Sequence, residues 1–348
     1  MDELIEVRED ERFDIERLVT WAADHPQMPA GTPSVLQFGG GKANLTYLLR
    51  YSDGTDLVLR RPPLGPVAAS SHDMGREYRV LSNLWKSFDK AARALAFCDD
   101  SSVIGAPFFL MERKDGVVVR KQVPEGFGGG ADPESNRKLS EVVIETLAEF
   151  HRVEPARCDL GDLGHPEGFL RRQVDGWTGR WDAARHEDNP LAEELADWLA
   201  KELPESPPPT LLHNDWRLDN MAIDPSDPGI CTAVYDWDMA TRGDPLADLG
   251  TLMGSWFDPG EAPESLGMMP TTVAGWLDRR SAVRMYGELN GADMSAIDWY
   301  LVFGAWKLGV VLQQIHIRWL RGQTRDDRFR DLDEGARHLF RLAALRRA

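Results

Sequence analysis

Residues 211–250, LLHNDWRLDNMAIDPSDPGICTAVYDWDMATRGDPLADLG, limit what this chain can fold into more than any other stretch. They predict a short strand ending at His213, a polar loop from His213 to Asn220, and a two-strand ribbon closed by Pro225-Ser226-Asp227-Pro228-Gly229. A strand over 232–237 then runs into carboxylates. Two polar clusters therefore meet at one end of the ribbon. The loop offers His213, Asp215, Asp219 and Asn220, and the strand offers Asp236 and Asp238. Carboxylate and amide oxygens without cysteine suit a hard cation such as Mg²⁺, which keeps several waters and takes one or two carboxylates plus substrate phosphates.

Phosphoryl transfer from ATP to a hydroxyl needs a carboxylate to orient the hydroxyl and accept its proton. It also needs an amide oxygen and a second carboxylate to hold metal on the phosphates. The order His213-Asn214-Asp215-Trp216-Arg217-Leu218-Asp219-Asn220, then Asp236-Trp237-Asp238, resembles the catalytic and metal loops of the aminoglycoside phosphotransferase and choline kinase superfamily, relatives of the protein kinases. With Gly243-Asp244-Pro245-Leu246-Ala247-Asp248 added, it is similar to the kinase-like domains linked to some acyl-CoA dehydrogenases. The resemblance implies that Asp215 is the catalytic base, that Asn220 and Asp236 are the metal ligands, and that His213 braces the loop. Asp219 reads as a loop-bracing or solvated side chain, and Asp238 as either an outer metal contact or structural. Asp244-Pro245 reads as a helix start, with Asp248 tying the ribbon to that helix.

Upstream, residues 12–24 carry Ile15, Leu18, Val19 and Ala22 at helical spacing. Strands over 35–39, 45–51 and 56–60 follow, joined by Gly39-Gly40-Gly41-Lys42-Ala43-Asn44 and by a turn at Asp53-Gly54. A glycine-rich turn lets backbone amides approach phosphate because no Cβ intrudes. It is neither a Walker loop nor a Rossmann fingerprint. The superfamily pattern Gly-Gly-x-x-Asn-x-Thr-Tyr is similar to what Gly40, Gly41, Asn44, Thr46 and Tyr47 provide, and it implies a lid over ATP.

A kinase-like small lobe also needs a cation on its third strand and a glutamate on the next helix. Arg60 is the expected cation where most of the superfamily has lysine. Arg61 is the alternative, because strand neighbours face opposite ways. Arginine can clamp phosphate oxygens bidentately, although it is not a neutral exchange for lysine. Glu77, on a helix over 72–84, is the expected partner. Strands over 94–99 and 103–113 complete the lobe, and Met111, Glu112 and Arg113 fall where the resemblance places the adenine-binding linker.

Past a glycine-rich connection at 126–131, Asp132-Pro133 opens a helix ending at His151, a structural residue by this reading. Helices are expected over 169–181 and 190–203 and, after the loop region, over 273–289, 295–320 and 331–347. Their tryptophans read as core. Arg171, Arg172, Lys307, Arg318 and Arg321 are cations that could meet anionic groups of an acceptor.

At 348 residues and 42% hydrophobic composition, the chain can bury a substantial core. A net charge of −17 argues against a general nucleic-acid binder. No apolar run is long enough to span a bilayer, and the acidic start is unlike a secretory signal, so no membrane partner is expected. Cys98, Cys158 and Cys231 lack paired or metal-ligand spacing and read as reduced thiols of a cytoplasmic protein. The expectation is an α+β, protein-kinase-like two-lobed fold, with a β-rich lobe over 1–113 and a mainly helical lobe over 114–348. It would be an enzyme using ATP and Mg²⁺ to phosphorylate a small-molecule alcohol, an aminoglycoside, a hydroxyacyl-CoA or another metabolic alcohol. A nucleotide-binding regulator is the alternative, permitted by Arg60 at the lysine position and by Asn214, where the superfamily usually has glycine.

Overall fold

The computed structural model describes residues 4–39, 44–63, 73–263, 266–324 and 326–347. The small lobe begins with strand β1 (Leu4–Ile5) and helix α1 (Ile15–Ala22), followed by β2 (Ser34–Phe38), β3 (Leu45–Arg50) and β4 (Asp56–Arg61). Helix α2 (Met74–Leu84), β5 (Ala94–Cys98), the helical turn α3 (Ser101–Ile104) and β6 (Phe108–Glu112) complete it. The six strands form one sheet in the order β1-β2-β3-β4-β6-β5, with every pair antiparallel. Alternation along β3 and β4 sends Leu45, Tyr47, Leu49, Leu57 and Leu59 to a core shared with Leu18 of α1. Val58 and Phe109 face the core that contains α2.

The strand expected over 103–113 is shorter than that. Asp100 caps α3 through the Ser102 amide, and Gly105 ends it with φ of 88°. Only from Phe108 does the backbone pair with β4 and β5. Aspartates or asparagine perform the same capping at α1 and α2 and at most helices of the large lobe, a use of acid side chains worth about 1 kcal/mol each.

The large lobe contains α4 (Pro133–His151), α5 (Phe169–Ala184) and α6 (Pro190–Lys201). Strands β7 (Thr210–Leu212), β8 (Met221–Asp224), β9 (Asp227–Val234) and β10 (Thr241–Gly243) follow as two antiparallel pairs, β7 with β10 and β8 with β9. The turn between β8 and β9 is tighter than expected, since pairing resumes at Asp227, and β9 stops at Val234 rather than 237. Helices α7 (Pro245–Gly254), α8 (Arg279–Asn290), α9 (Ile297–Leu320) and α10 (Leu332–Arg347) close the lobe. The helix expected from residue 273 starts only at Arg279. Gly275 has φ of 87° and lies against the Pro133 carbonyl, and Asp278 then caps α8 through the Ser281 amide. No helix among the described residues is long and apolar enough to cross a membrane.

Helices α7 and α9 pack backbone to backbone. A Cβ on Gly254 would sit 2.5 Å from the Gly304 carbonyl oxygen, and one on Gly304 would overlap the Gly250 carbonyl. Gly304→Ala should therefore force the helices apart and destabilise the protein by about 1–3 kcal/mol. Urea unfolding would measure this, and an unchanged midpoint would mean that the contact yields freely.

Candidate active site

Strand β7 delivers the chain to His213, which is fully buried. Its Nε2 lies 2.8 Å from the Tyr235 carbonyl oxygen, and its Nδ1 accepts from the Asp215 amide at 3.3 Å. A carbonyl on one side and an N–H on the other require the Nε2–H tautomer. Asn214 has φ of 67°, a left-handed conformation that asparagine tolerates better than most side chains, so it can stand where glycine is usual. Its Nδ2 donates to the Met239 carbonyl at 2.9 Å.

Asp248 of α7 accepts from the His213 amide at 2.6 Å and from the Asn214 amide at 2.7 Å. It therefore ties the loop after β7 to α7, and the ribbon of β8 and β9 is not its partner. His151 approaches the same carboxylate at 3.4 Å through Nε2, and its Nδ1 meets the Tyr286 hydroxyl at 2.7 Å. Burial works against the Asp248 charge, but His151, His213 and the backbone donor outweigh it and lower its pKa.

One residue, Asn220, organises the loop and ties it to the strand that leads to Asp236. Asn220 Nδ2 donates to the Asp215 carbonyl at 2.8 Å and to Asp215 Oδ2 at 3.1 Å, which leaves Asn220 Oδ1 for a cation. The Tyr235 amide donates to the Asn220 carbonyl at 2.8 Å, bringing the residue before Asp236 onto the loop. Asp236 has φ of 65°, and this left-handed residue is what ends β9 early. No group of three or more His, Cys, Asp or Glu converges among the described residues. Asn220 Oδ1 and the Asp236 carboxylate are oxygen donors of the kind that suits a cation completing its shell with phosphate and water, the habit of Mg²⁺.

Arg217 was not singled out from the sequence. Its Nε is 3.3 Å from Asp215 Oδ1 and 3.4 Å from Asp219 Oδ1, and Nη2 donates to Asp215 Oδ2 at 3.3 Å. A cation between two loop carboxylates was the available signal. Burial raises the pKa of Asp219 against the pull of Arg217.

On the small lobe, Arg60 lies opposite Thr46 in the register of β3 with β4. Arg60 Nε lies 3.0 Å from Glu77 Oε2, within ion-pair range but without hydrogen-bond alignment, and Nη2 pairs with Asp236 Oδ1. Arg61 turns the other way, donating to the Ile104 carbonyl at 3.0 Å and to the Tyr47 hydroxyl at 2.7 Å. Among the described residues, neither side-chain polar atom of the buried Asn44 has a hydrogen-bond partner. Gly40 and Gly41 lie outside the described residues. Met111 is buried, and the Arg113 side chain is engaged by Asp56 at 2.6 Å and by Asp115 at 3.0 Å, so any linker contact there uses backbone.

Burial pushes the Glu77 carboxyl up to about 7 despite Arg60, with Asp236 and Asp238 adding to the rise. Burial opposes the Arg60 charge too, but Arg60 faces two carboxylates where Glu77 faces one cation, and its pKa is raised. With a folded pKa above the unfolded 4.5, Glu77 contributes stability that is complete below about 4.5 and is lost as pH rises through about 7. In metal-free buffer the thermal midpoint of wild type minus that of Glu77→Gln should therefore fall across this window. A difference independent of pH would show that Glu77 does not titrate there.

Of the cations named for an acceptor, Arg171, Arg172 and Arg321 donate to backbone carbonyls of the large lobe, and Arg318 is exposed. Lys307 alone is buried, with Nζ 3.4 Å from the Asn214 carbonyl oxygen.

A small antiparallel sheet beside a helical lobe that bears the carboxylate loops is the protein-kinase-like fold. Residues 34–285 match the phosphotransferase enzyme family, and the chain belongs to that family. It is 33% identical over 334 residues to acyl-CoA dehydrogenase family member 11 of Gallus gallus, an alignment covering 92% of this chain and 41% of that protein. The chain thus spans about two fifths of the length of that curated relative. A Ralstonia eutropha crystal structure described as a candidate aminoglycoside phosphotransferase superposes with a TM-score of 0.83 at 29% identity, covering 97% of this chain and 98% of that one. A spectinomycin phosphotransferase solved with ADP and spectinomycin shares the fold at a TM-score of 0.55 and 11% identity, covering 96% of this chain and 98% of that one.

Proposed function

We propose that this chain transfers the γ-phosphoryl group of Mg²⁺-ATP to a hydroxyl of a small molecule. The nucleotide would lie between a lobe ending at Arg113 and the lobe that follows. The observation that carries this reading is that Asp236 meets the Arg60–Glu77 pair of the sheet lobe, while Asn220 holds Asp215 and is tied by the Tyr235 amide to the residue before Asp236. Asp215 orients the acceptor hydroxyl and takes its proton as that oxygen bonds to the γ-phosphorus and the bond to the ADP oxygen breaks. Its side chain is 35% exposed, open enough to meet an acceptor. Arg217 and Asn220 hold its two oxygens in place. His213 braces the loop from beneath.

Asn220 and Asp236 would hold Mg²⁺, which would neutralise charge on the phosphates. Arg60, braced by Glu77, would turn from Asp236 to the phosphates. Gly40, Gly41 and Asn44 would cover the nucleotide, and the backbone at Met111 and Arg113 would receive the adenine edge. ADP in the spectinomycin phosphotransferase supports nucleotide use. The acyl-CoA dehydrogenase relatives support a hydroxyacyl-CoA, or another metabolic alcohol, as acceptor.

The test is ADP release with Mg²⁺-ATP on two acceptor panels, aminoglycosides and hydroxyacyl-CoA esters, with Asp215→Ala as the blank. Turnover that vanishes in the blank supports the reading and selects the acceptor class. ATP binding with no turnover on any alcohol would identify a nucleotide-binding regulator instead.

A further inference from the structure

Lys307 sits on α9, one turn beyond the glycine contact with α7, and is 7% exposed. Its ammonium donates to the Asn214 carbonyl at 3.4 Å and to Thr251 Oγ1 at 3.3 Å, and it lies 5.3 Å from the centroid of the Trp177 ring. A buried lysine is costly unless its charge is compensated. Here burial lowers its pKa, while Asp248 and Asp215 favour the charged form.

The peptide that Lys307 touches is the one joining Asn214 to Asp215. The left-handed turn at Asn214 removes its carbonyl from β7 pairing, which ends at Leu212, and presents it to α9. The N–H of the same peptide donates to His213 Nδ1. One peptide plane is therefore clamped at both ends, and that plane sets the direction of the Asp215 side chain. We infer that Lys307 is a positioning residue for phosphoryl transfer, holding the Asn214–Asp215 peptide so that Asp215 meets the acceptor hydroxyl, with Trp177 shielding the clamp. The inference rests on the assignment of Asp215 as the base.

Lys307→Met keeps the length and removes the donor. Lys307→Gln keeps a polar head that falls short of the carbonyl, and Lys307→Arg restores a cation. Misplacing a reacting group by about 1 Å costs on the order of 100-fold. Both neutral variants should lose about that factor in kcat, with KM for ATP and acceptor within about 2-fold of wild type. Lys307→Arg should recover most of the loss. Calorimetric Mg²⁺-ATP binding should be unchanged throughout, and the glutamine variant carries the test if the methionine variant does not fold.

The inference is overturned if a neutral variant keeps kcat, if only the KM of the acceptor rises, or if arginine rescues nothing while ATP still binds. Rise of the acceptor KM alone would make Lys307 a substrate contact. If wild type releases no ADP on any acceptor, or Asp215→Ala still turns over, the phosphotransfer reading itself has failed and takes this inference with it.

Discussion

Asp215→Asn should lower turnover by about 10²–10⁴-fold while Mg²⁺-ATP still binds, because the substitution removes the proton acceptor and little else. Asparagine has nearly the shape of aspartate and can keep one oxygen towards Asn220 Nδ2, which lies 3.1 Å from Asp215 Oδ2. Arg217, within 3.3 Å of both Asp215 oxygens, would lose its counter-charge there but keep Asp219 at 3.4 Å. On the proposed reading the nucleotide would be held elsewhere, by Arg60 braced by Glu77 and through metal on Asn220 and Asp236. Single-turnover ADP release and calorimetric ATP titration separate the two effects. Joint loss of binding and turnover would remove Asp215 from the role of base and make it part of the nucleotide site.

Asp248→Ala should cost about 3–5 kcal/mol of stability, the largest such effect expected in this chain. The carboxylate is 1% exposed, accepts both loop amides, and faces His151. Its removal leaves two buried N–H groups without acceptors, each costing about 1–3 kcal/mol. Asp248→Asn should rescue poorly, since an amide offers one acceptor and turns an NH₂ towards a backbone N–H. Guanidinium unfolding measures both variants. A loss below about 1 kcal/mol for alanine would show that water or a shifted side chain replaces the carboxylate.

The polar pattern of the loops was legible because it is local. His213, Asp215 and Asn220 lie within one turn of chain, and short-range geometry brings the asparagine amide to the aspartate. Helix starts were legible for the same reason, as aspartate followed by proline marked α4 and α7. Choosing between Arg60 and Arg61 was not possible locally. Both are strand residues, and only the register of β3 with β4, together with the position of α2, sends one to Glu77 and the other to Tyr47. The late start of α8 at Arg279 escaped for a similar reason. Apolar spacing continued upstream, but the left-handed Gly275 lies against the Pro133 carbonyl of a distant helix.

The sequence by itself determined the class of fold, the loops that bear carboxylates, and the residue types able to hold a hard cation on phosphates. The class of fold rests on the resemblance of those loops to a known superfamily, and the rest on capping and spacing settled within a few residues of chain. Tertiary structure alone decided which cation faces the cleft, which acid carries the loop, and which lysine reaches it. Asp248 lies 35 residues from His213 in sequence, and Lys307 lies 93 from Asn214. Contacts at such separations depend on how closely α7 and α9 approach, and that approach is set by glycines whose partners are other backbones.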